Sequence, residues 1–402
     1  MRAKLFLKRA LRNIALVLLL EAVVALCGYG LLVFSDAPVF VGLRTIWIET
    51  AMTTGEHQWL ATAFFPKETI RSVMDAQVVD VEGIGGLDLD FSQQEMLDRL
   101  EGQAAEEASK PDDILGQQDL VVGGPDDVGN TVLVNDVEQG IVISEVIGSS
   151  YRGKIVMIDD PSRVRIATTE NKGGIGEKIL GYLDQEDALI ACNANGFQDY
   201  NGVGDGGDII GLTYSSGQSW GDYLGEYVSF GFDEEDRFLV GYFSNWEDYQ
   251  IRDGAQFKPA LIVDGEQLIS GTAGYGLQPR TVIGQRADGA VIILVVDGRQ
   301  VGWSTGIALG QCADILYAYG CVNAAACDGG SSSILAYDGE IITRCSSPAS
   351  GGRYLPNAWV VDRKEVVKEP DQVIVDGSGL LGLIGAGNPS NNDPENLFLG
   401  KG

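Results

Sequence analysis

The chain has 402 residues, 45% of them hydrophobic and 21% charged, and its formal net charge is −29. This length predicts two or three domains with a sizeable core. The acidic excess argues against nucleic acid or anionic lipid as a partner, because both require clustered lysine and arginine.

The first predicted element is a membrane-spanning helix. Ile14–Phe34 is a largely apolar run, long enough for a bilayer core of about 30 Å. The basic flank before it is expected to stay in the cytoplasm, so residues 1–35 predict a single-pass anchor in the cell membrane with an extracellular C-terminal domain. A cleaved signal peptide is the alternative, although the run exceeds the usual apolar region and no clear Ala-x-Ala site follows.

Residues 36–129 predict a helical stalk or cap. Ala51–Phe65 is amphipathic, and Ser92-Gln-Gln-Glu95 is a capping box that opens a helix toward Ser109. The only histidine, His57, is in this region and is interpreted as a packing residue. Catalysis is therefore expected to depend on carboxylates, arginine, asparagine and backbone donors rather than on a histidine triad or a His-rich zinc site.

Residues 130–365 predict the main domain, in which strands dominate. Helices are expected near 176–183 and 308–319, and Arg280 and Asp297 are at the two ends of a predicted hairpin. The fold class is therefore α+β, with mixed, mostly antiparallel sheets and a few packed helices, preceded by the transmembrane helix and the helical stalk. Residues 366–402 are rich in Gly, Asn, Asp and Pro and predict a flexible tail.

Two features leave metal and disulfide chemistry open. Asn201–Asp208 alternates acids and glycines as a calcium loop does, but the EF-hand spacing fails at Val203, and a rim or lid is favoured. The six cysteines are interpreted as free thiols, with one bridge from Cys312 or Cys321 to Cys345 as the alternative. We expect no cofactor, and a divalent cation near Asp328 is left open.

The main domain is organised around Asn323–Tyr337. It predicts a buried strand, a glycine turn that carries Asp328, and a second strand. Gly329 and Gly330 allow backbone N–H groups to point into one concavity, and three serines add hydroxyls. Such a turn can handle a sugar, a phosphate or a metal. The alternative is a tight hairpin in which the aspartate only caps the turn.

Four short motifs occur in one order along the main domain: Asn195-Gly-Phe197, Pro279-Arg-Thr281, Asp297-Gly-Arg299 and Asp328-Gly-Gly-Ser331. In this order and spacing, residues 130–365 resemble the phosphodiester glycosidase family. That family includes the lysosomal uncovering enzyme and bacterial exopolysaccharide biosynthesis proteins. Cys327 and Ser332 depart from its usual pattern.

The resemblance implies a hydrolase that splits a sugar-1-phosphodiester in a cell-surface glycan and releases a phosphomonoester. Asp328 is then the nucleophile or the base, Asp297 its partner carboxylate, Arg280 the phosphate ligand, and Asn195 a hydrogen-bond donor to substrate. The further binding candidates are Gly196, Phe197, Gly329, Gly330, Ser331, Ser332 and Arg353. For Asn195, Asp297 and Arg280 a purely structural role is the alternative.

Two other functions remain open from sequence. One is a non-catalytic glycan-binding or exopolysaccharide assembly protein that uses the same cleft. The other is a calcium-dependent adhesin built on the 199–208 loop. The hydrolase hypothesis requires Arg280 and Asp328, 48 positions apart, to meet around one pocket.

Overall fold

The computed structural model describes residues 2–52, 58–75, 113–199, 204–273, 276–300, 302–347 and 349–365. The chain divides into a unit over Met1–Lys364 and a second over Glu365–Gly402. His57, the predicted helix from Ser92 and the predicted tail lie outside the described residues.

Within residues 2–52 and 58–75 there are four helices: α1 (Arg2–Phe34), α2 (Pro38–Met52), α3 (Trp59–Thr62) and α4 (Lys67–Asp75). Within α1, Lys8–Phe34 is long and apolar enough to cross a membrane, a property that signal sequences share. The predicted apolar N-terminal helix is therefore present.

The largest sheet has eight strands in the order β1-β2-β3-β14-β13-β15-β11-β12. Their bounds are β1 Thr131–Asp136, β2 Ile141–Ile147, β3 Arg152–Ile158, β11 Ala260–Val263, β12 Glu266–Gln267, β13 Arg280–Arg286, β14 Val291–Val296 and β15 Cys321–Ala326. All seven pairings are antiparallel. The sequence of β14, Val-Ile-Ile-Leu-Val-Val, is buried along its whole length, as expected for a strand covered on both faces.

Two five-stranded antiparallel sheets complete the body. The second sheet, in the order β7-β6-β10-β8-β9, contains β6 Thr213–Ser215, β7 Gln218–Trp220, β8 Val228–Asp233, β9 Phe238–Gly241 and β10 Ile251–Phe257. The third sheet, in the order β17-β16-β5-β18-β4, contains β4 Val164–Thr168, β5 Ala188–Asn193, β16 Leu335–Tyr337, β17 Glu340–Ile341 and β18 Asn357–Asp362.

Helices cover the outer faces of two sheets. Helix α5 (Ile179–Gln185) packs on the third sheet, and α6 (Leu309–Ala318) packs on the large sheet. Three short 3-10 turns are Pro161–Arg163, Trp246–Tyr249 and Gly330–Ser332. The central core lies where the three sheets meet and contains residues from each of them. The α+β prediction with mostly antiparallel sheets is confirmed.

Residues 113–130 belong to this body, although the sequence places 113–129 with the stalk. Leu115 is buried in the core between the large sheet and α6. The side chain of Gln117 donates to the main-chain oxygen of Ile141 (3.2 Å), and Asn130 donates to the hydroxyl of Tyr319 (2.8 Å). The packed body therefore begins before the first strand.

The central core predicts a large loss of stability in Phe232→Ala. Phe232 is fully buried, and its ring lies 5.0 Å from Phe238 and 5.8 Å from Trp359 between centroids. Removing a buried ring leaves a cavity, so the free energy of unfolding should fall by about 3–5 kcal/mol. Urea unfolding of the detergent-solubilised chain, followed by near-UV circular dichroism, measures this loss.

The matched control is Tyr317→Ala on the outer side of α6, where the side chain is 53% exposed. Its free energy of unfolding should change by less than about 0.5 kcal/mol. Equal losses in the two variants would contradict the placement of Phe232 in the core.

Candidate active site

Strand register brings three candidate segments to one edge of the large sheet. Arg280, the first residue of β13, pairs with Val296 at the end of β14, and Val282 pairs with Ala326 at the end of β15. Because neighbouring antiparallel strands run in opposite directions, the start of β13 lies beside the ends of β14 and β15. The residues that precede β13 and those that follow β14 and β15 therefore meet.

Asp328 lies on a crossover between two sheets. It follows β15, which belongs to the large sheet, and precedes β16, which pairs with β5 in the third sheet. Strands β15 and β16 do not pair with each other, so the tight-hairpin alternative is wrong. A chain that leaves one sheet for another exposes its polar groups at the junction, where a ligand can reach them.

Asn193 fixes the main chain at this crossover. Its side-chain nitrogen donates to the main-chain oxygen of Asp328 (2.6 Å), and its oxygen accepts from the hydroxyl of Thr281 (2.7 Å) and from the N–H of Ile334 (3.3 Å). The N–H of Asp328 donates to Ala194 (2.9 Å). Because Asn193 is the last residue of β5, this network joins the third sheet to the large sheet directly under the acid.

Asp328 is half-buried, and its carboxylate has hydrogen-bond donors around it. Its Oδ1 accepts from the N–H of Gly329 (2.9 Å), and Ser332 donates from its hydroxyl. A Cβ placed on Gly196 would lie 3.8 Å from this carboxylate, so the Asn195-Gly-Phe197 motif passes directly beside it.

Burial and nearby cations act on Asp328 in opposite directions. Burial raises the pKa of Asp328 above its ordinary value, whereas the Ser332 hydroxyl and the charges of Arg353 and Arg299 lower it. The net direction is upward. A raised pKa is a property of carboxylates that exchange protons in a reaction, although structural carboxylates share it.

Arg299 is a site residue that the sequence predictions omitted. Its Nη1 donates to the hydroxyl of Ser331 (3.1 Å), and its Nε donates to the side chain of Gln278 (2.9 Å). A Cβ placed on Gly330 would lie 2.9 Å from Nη2 of Arg299, so the glycine makes room for the guanidinium. The sequence contained a signal for Arg299, because this residue ends the Asp297-Gly-Arg299 motif.

Arg353 approaches the same acid from the segment before β18. Its guanidinium lies 4.6 Å above the ring centroid of Phe197 and forms an ion pair with Asp199. The predicted binding candidates Phe197 and Arg353 are therefore in direct contact. The aromatic ring holds the planar cation in place while its charge acts on Asp328.

Arg280 lies on the other side of the glycine turn. Its Nη1 would be 3.6 Å from a Cβ on Gly329, and the N–H of Gly330 donates to the oxygen of Pro279 (2.9 Å). The guanidinium also donates to Gly276 (3.3 Å). Arg280 and Asp328 thus flank one turn, but the cations that act most on the pKa of Asp328 are Arg353 and Arg299.

The structure gives Asn195 a supporting position. Asn195 is fully buried, and its side-chain nitrogen donates to the main-chain oxygens of Ile210, Leu212 and Gln256 at 3.1–3.3 Å. Its side-chain oxygen accepts from Asn357 (2.8 Å). These protein partners bind the amide that the sequence analysis assigned to the substrate.

Asp297 has a similar structural environment. One carboxylate oxygen accepts from the indole N–H of Trp303 (2.8 Å), and the other accepts from the N–H of Arg344 (2.8 Å). Burial raises the pKa of Asp297, and these two donors act in the opposite direction. Both oxygens already have protein donors, so Asp297 fixes the loop that carries Arg299.

Neither a metal-binding group nor the cavity of this body coincides with the described residues around Asp328. Within the described residues, no group of three His, Cys, Asp or Glu side chains is placed to hold a metal ion, and part of the predicted calcium loop falls outside them. A cavity of about 400 Å³ opens at the opposite end of the same strands, where Arg286, Asp288 and Tyr319 line it. It contains none of the candidate site residues.

One segment of the chain is similar to a known family. Residues 186–362 match the sequence model of the phosphodiester glycosidase family. The matched segment is less than half of the chain. It contains β5, Arg299, Asp328 and Arg353, and therefore the whole cluster around the acid.

Among curated proteins, the chain is similar to the SPbeta prophage-derived uncharacterized protein YomE of Bacillus subtilis strain 168. The two are 28% identical over 200 residues, which is 46% of this chain and 29% of that protein. The chain thus spans less than a third of the length of this curated relative.

Two solved structures align with the chain at a TM-score of 0.46 each. One is the zebrafish N-acetylglucosamine-1-phosphodiester α-N-acetylglucosaminidase catalytic domain auto-inhibited by its pro-peptide, at 21% identity over 56% of this chain and 82% of that one. The other is a hypothetical protein from Synechocystis, at 16% identity over 56% of this chain and 62% of that one.

The arrangement predicts that Arg299→Gln raises the pKa of Asp328 further. The guanidinium favours the charged carboxylate, so removing its charge favours the protonated form. A titration of the ¹³C carboxyl shift of Asp328 measures the change. Arg286→Gln, at the opposite end of β13, is the control and should leave this pKa unchanged. Equal titration curves for wild type and Arg299→Gln would contradict the coupling.

Proposed function

We propose that the protein is a membrane-anchored hydrolase that cleaves the glycosidic bond of a sugar-1-phosphodiester in a cell-surface glycan. The observation that carries the proposal is the acid Asp328 beside two guanidinium groups, Arg299 and Arg353, on a family-matched segment. A carboxylate suits the anomeric carbon, and planar guanidinium groups suit the phosphate oxygens.

The balanced reaction needs one carboxylate and a charge clamp. Asp328 either attacks the anomeric carbon and forms a glycosyl ester that water then hydrolyses, or it takes a proton from the water that attacks this carbon directly. The bond between that carbon and the bridging oxygen breaks, and its electron pair leaves with the phosphate. Arginine charges stabilise the phosphomonoester product, so a separate acid for the leaving group is unnecessary. Asp297, whose two oxygens already have protein donors, is therefore not needed as that acid.

The surroundings of the acid favour this chemistry in two further ways. Gly196 lies beside the carboxylate, and Arg299 is exposed, so an incoming phosphate can reach it. Arg280 flanks the same turn and supplies a third cation. The three arginines come from the segments after β14, before β18 and at the start of β13, which supports an anion site at their junction.

The N-terminal helix supports placement of the domain outside the cell. Lys8–Phe34 is long enough to cross the bilayer, and the basic residues before it favour the cytoplasmic side. We infer that α1 remains as an anchor and that the glycosidase domain is extracellular. The partner is then a glycan or a sugar phosphodiester at the cell surface.

The test is turnover of a UDP-linked sugar-1-phosphodiester by the detergent-solubilised full chain in H₂¹⁸O. Cleavage at the anomeric carbon places the label on the released sugar, whereas phosphodiester cleavage at phosphorus places it on a phosphate. We expect the label on the sugar. Asp328→Asn should lower kcat by about 10³-fold or more, because it removes the nucleophile or base.

Asp187→Asn is the matched control, because Asp187 is an exposed aspartate in the turn before β5 and asparagine tolerates its positive φ of 49°. It should retain wild-type turnover. Label on the phosphate, or equal rates in wild type and Asp328→Asn, would overturn the proposal. Saturable sugar-phosphate binding without turnover would instead favour the glycan-binding or assembly protein.

A further inference from the structure

The helices after the apolar segment form a small cluster with its own core. Residues of α1 to α4 bury six side chains against one another: Val33, Ile48, Ala51, Ala61, Phe65 and Ile70. Because one side of α2 faces this core, its opposite side is left for solvent or a partner.

Part of the remaining surface of α2 is exposed and apolar. Val39, Leu43 and Trp47 recur every four residues, so they share one face, and they are 69%, 52% and 40% exposed. Trp59, at the start of α3, is 58% exposed. Phe64 extends the patch, with its ring 6.0 Å from that of Trp47. A contiguous exposed apolar surface of this kind marks an interaction site.

Hydrogen bonds attach this cluster to the last turns of α1. The hydroxyl of Tyr29 donates to the oxygen of Phe64 (2.6 Å). Arg44, on α2, donates to the main-chain oxygens of Leu32, Val33 and Ser35 at 2.9–3.3 Å. Helix ends leave carbonyl groups without helical partners, and Arg44 satisfies them here.

The length of α1 determines the depth in the bilayer at which the helix cluster is attached. At 1.5 Å per residue, the apolar run Ile14–Phe34 spans about 31 Å, close to the hydrocarbon thickness of a bilayer. The end of α1 therefore lies at the level of the lipid headgroups. Tryptophan and tyrosine are enriched at that level, because their rings have an apolar body and a polar edge.

We propose that the face formed by Val39, Leu43, Trp47, Trp59 and Phe64 inserts into the interfacial layer of the membrane leaflet in which α1 ends. Helices α2 and α3 then lie on the bilayer instead of forming the stalk that the sequence predicts. This inference rests on the proposed membrane crossing of α1. The partner is a neutral lipid surface, which agrees with the strongly acidic chain.

Tryptophan quenching by brominated lipid tests the proposal. The full chain is placed in phosphatidylcholine vesicles with brominated acyl chains, which quench only tryptophans in contact with lipid. Two of the six tryptophans, at 47 and 59, should be quenched, so up to about a third of the emission should be lost. The double variant Trp47→Phe with Trp59→Phe should lose this quenching, and the control Trp220→Phe should retain it.

Leu43→Glu adds a test that keeps all six tryptophans. A charge on the inserting face should reduce the quenching while circular dichroism shows unchanged folding. Unchanged quenching in the double variant would overturn the proposal. A wild-type chain that floats with the vesicles but is not quenched would also overturn it. Cross-linked dimers in that case would show that the face binds a second copy of the chain. A chain that fails to float with vesicles would refute both the anchor and this inference.

Discussion

One buried amide holds the two halves of the candidate active site together. Asn193 ends a strand of the third sheet and bonds to the main chain of Asp328, which leaves the large sheet. Its oxygen also satisfies Thr281 on β13. Removing this amide would leave buried polar groups without partners, at a cost of about 1–3 kcal/mol for each group. The position of the acid therefore depends on contacts between sheets, not on the turn alone.

The electrostatics of the site contrast with those of the whole chain. A protein with a formal charge of −29 repels an anionic substrate at long range. Around the glycine turn, the charges of Arg353 and Arg299 act on Asp328 and lower its pKa, whereas burial raises it. This combination suits a reaction in which negative charge moves from a carboxylate or water toward a phosphate.

Local patterns predicted local structure well. The hairpin from Arg280 to Asp297, the helix around Cys312 and the buried strand before Asp328 all follow from periodicity and turn residues. Pairing between strands far apart in the chain did not follow, because the crossover from β15 to β16 depends on pairing of β16 with β5, about 145 positions earlier. For the same reason the sequence pattern favoured Asn195 as the site asparagine, whereas the side chain of Asn193 is the one that bonds to the main chain of Asp328. Arg299 was missed because its approach depends on a backbone with φ of 58° and on space at Gly330.

The cysteines carry a practical consequence. All six lie in the described part of the chain as free thiols, and Cys192, Cys312, Cys321 and Cys327 are buried. Burial raises the pKa of each of these four thiols, which disfavours the reactive thiolate. A thiol-modifying reagent should therefore reach these four cysteines only when the body unfolds, so their rate of modification reports on its opening.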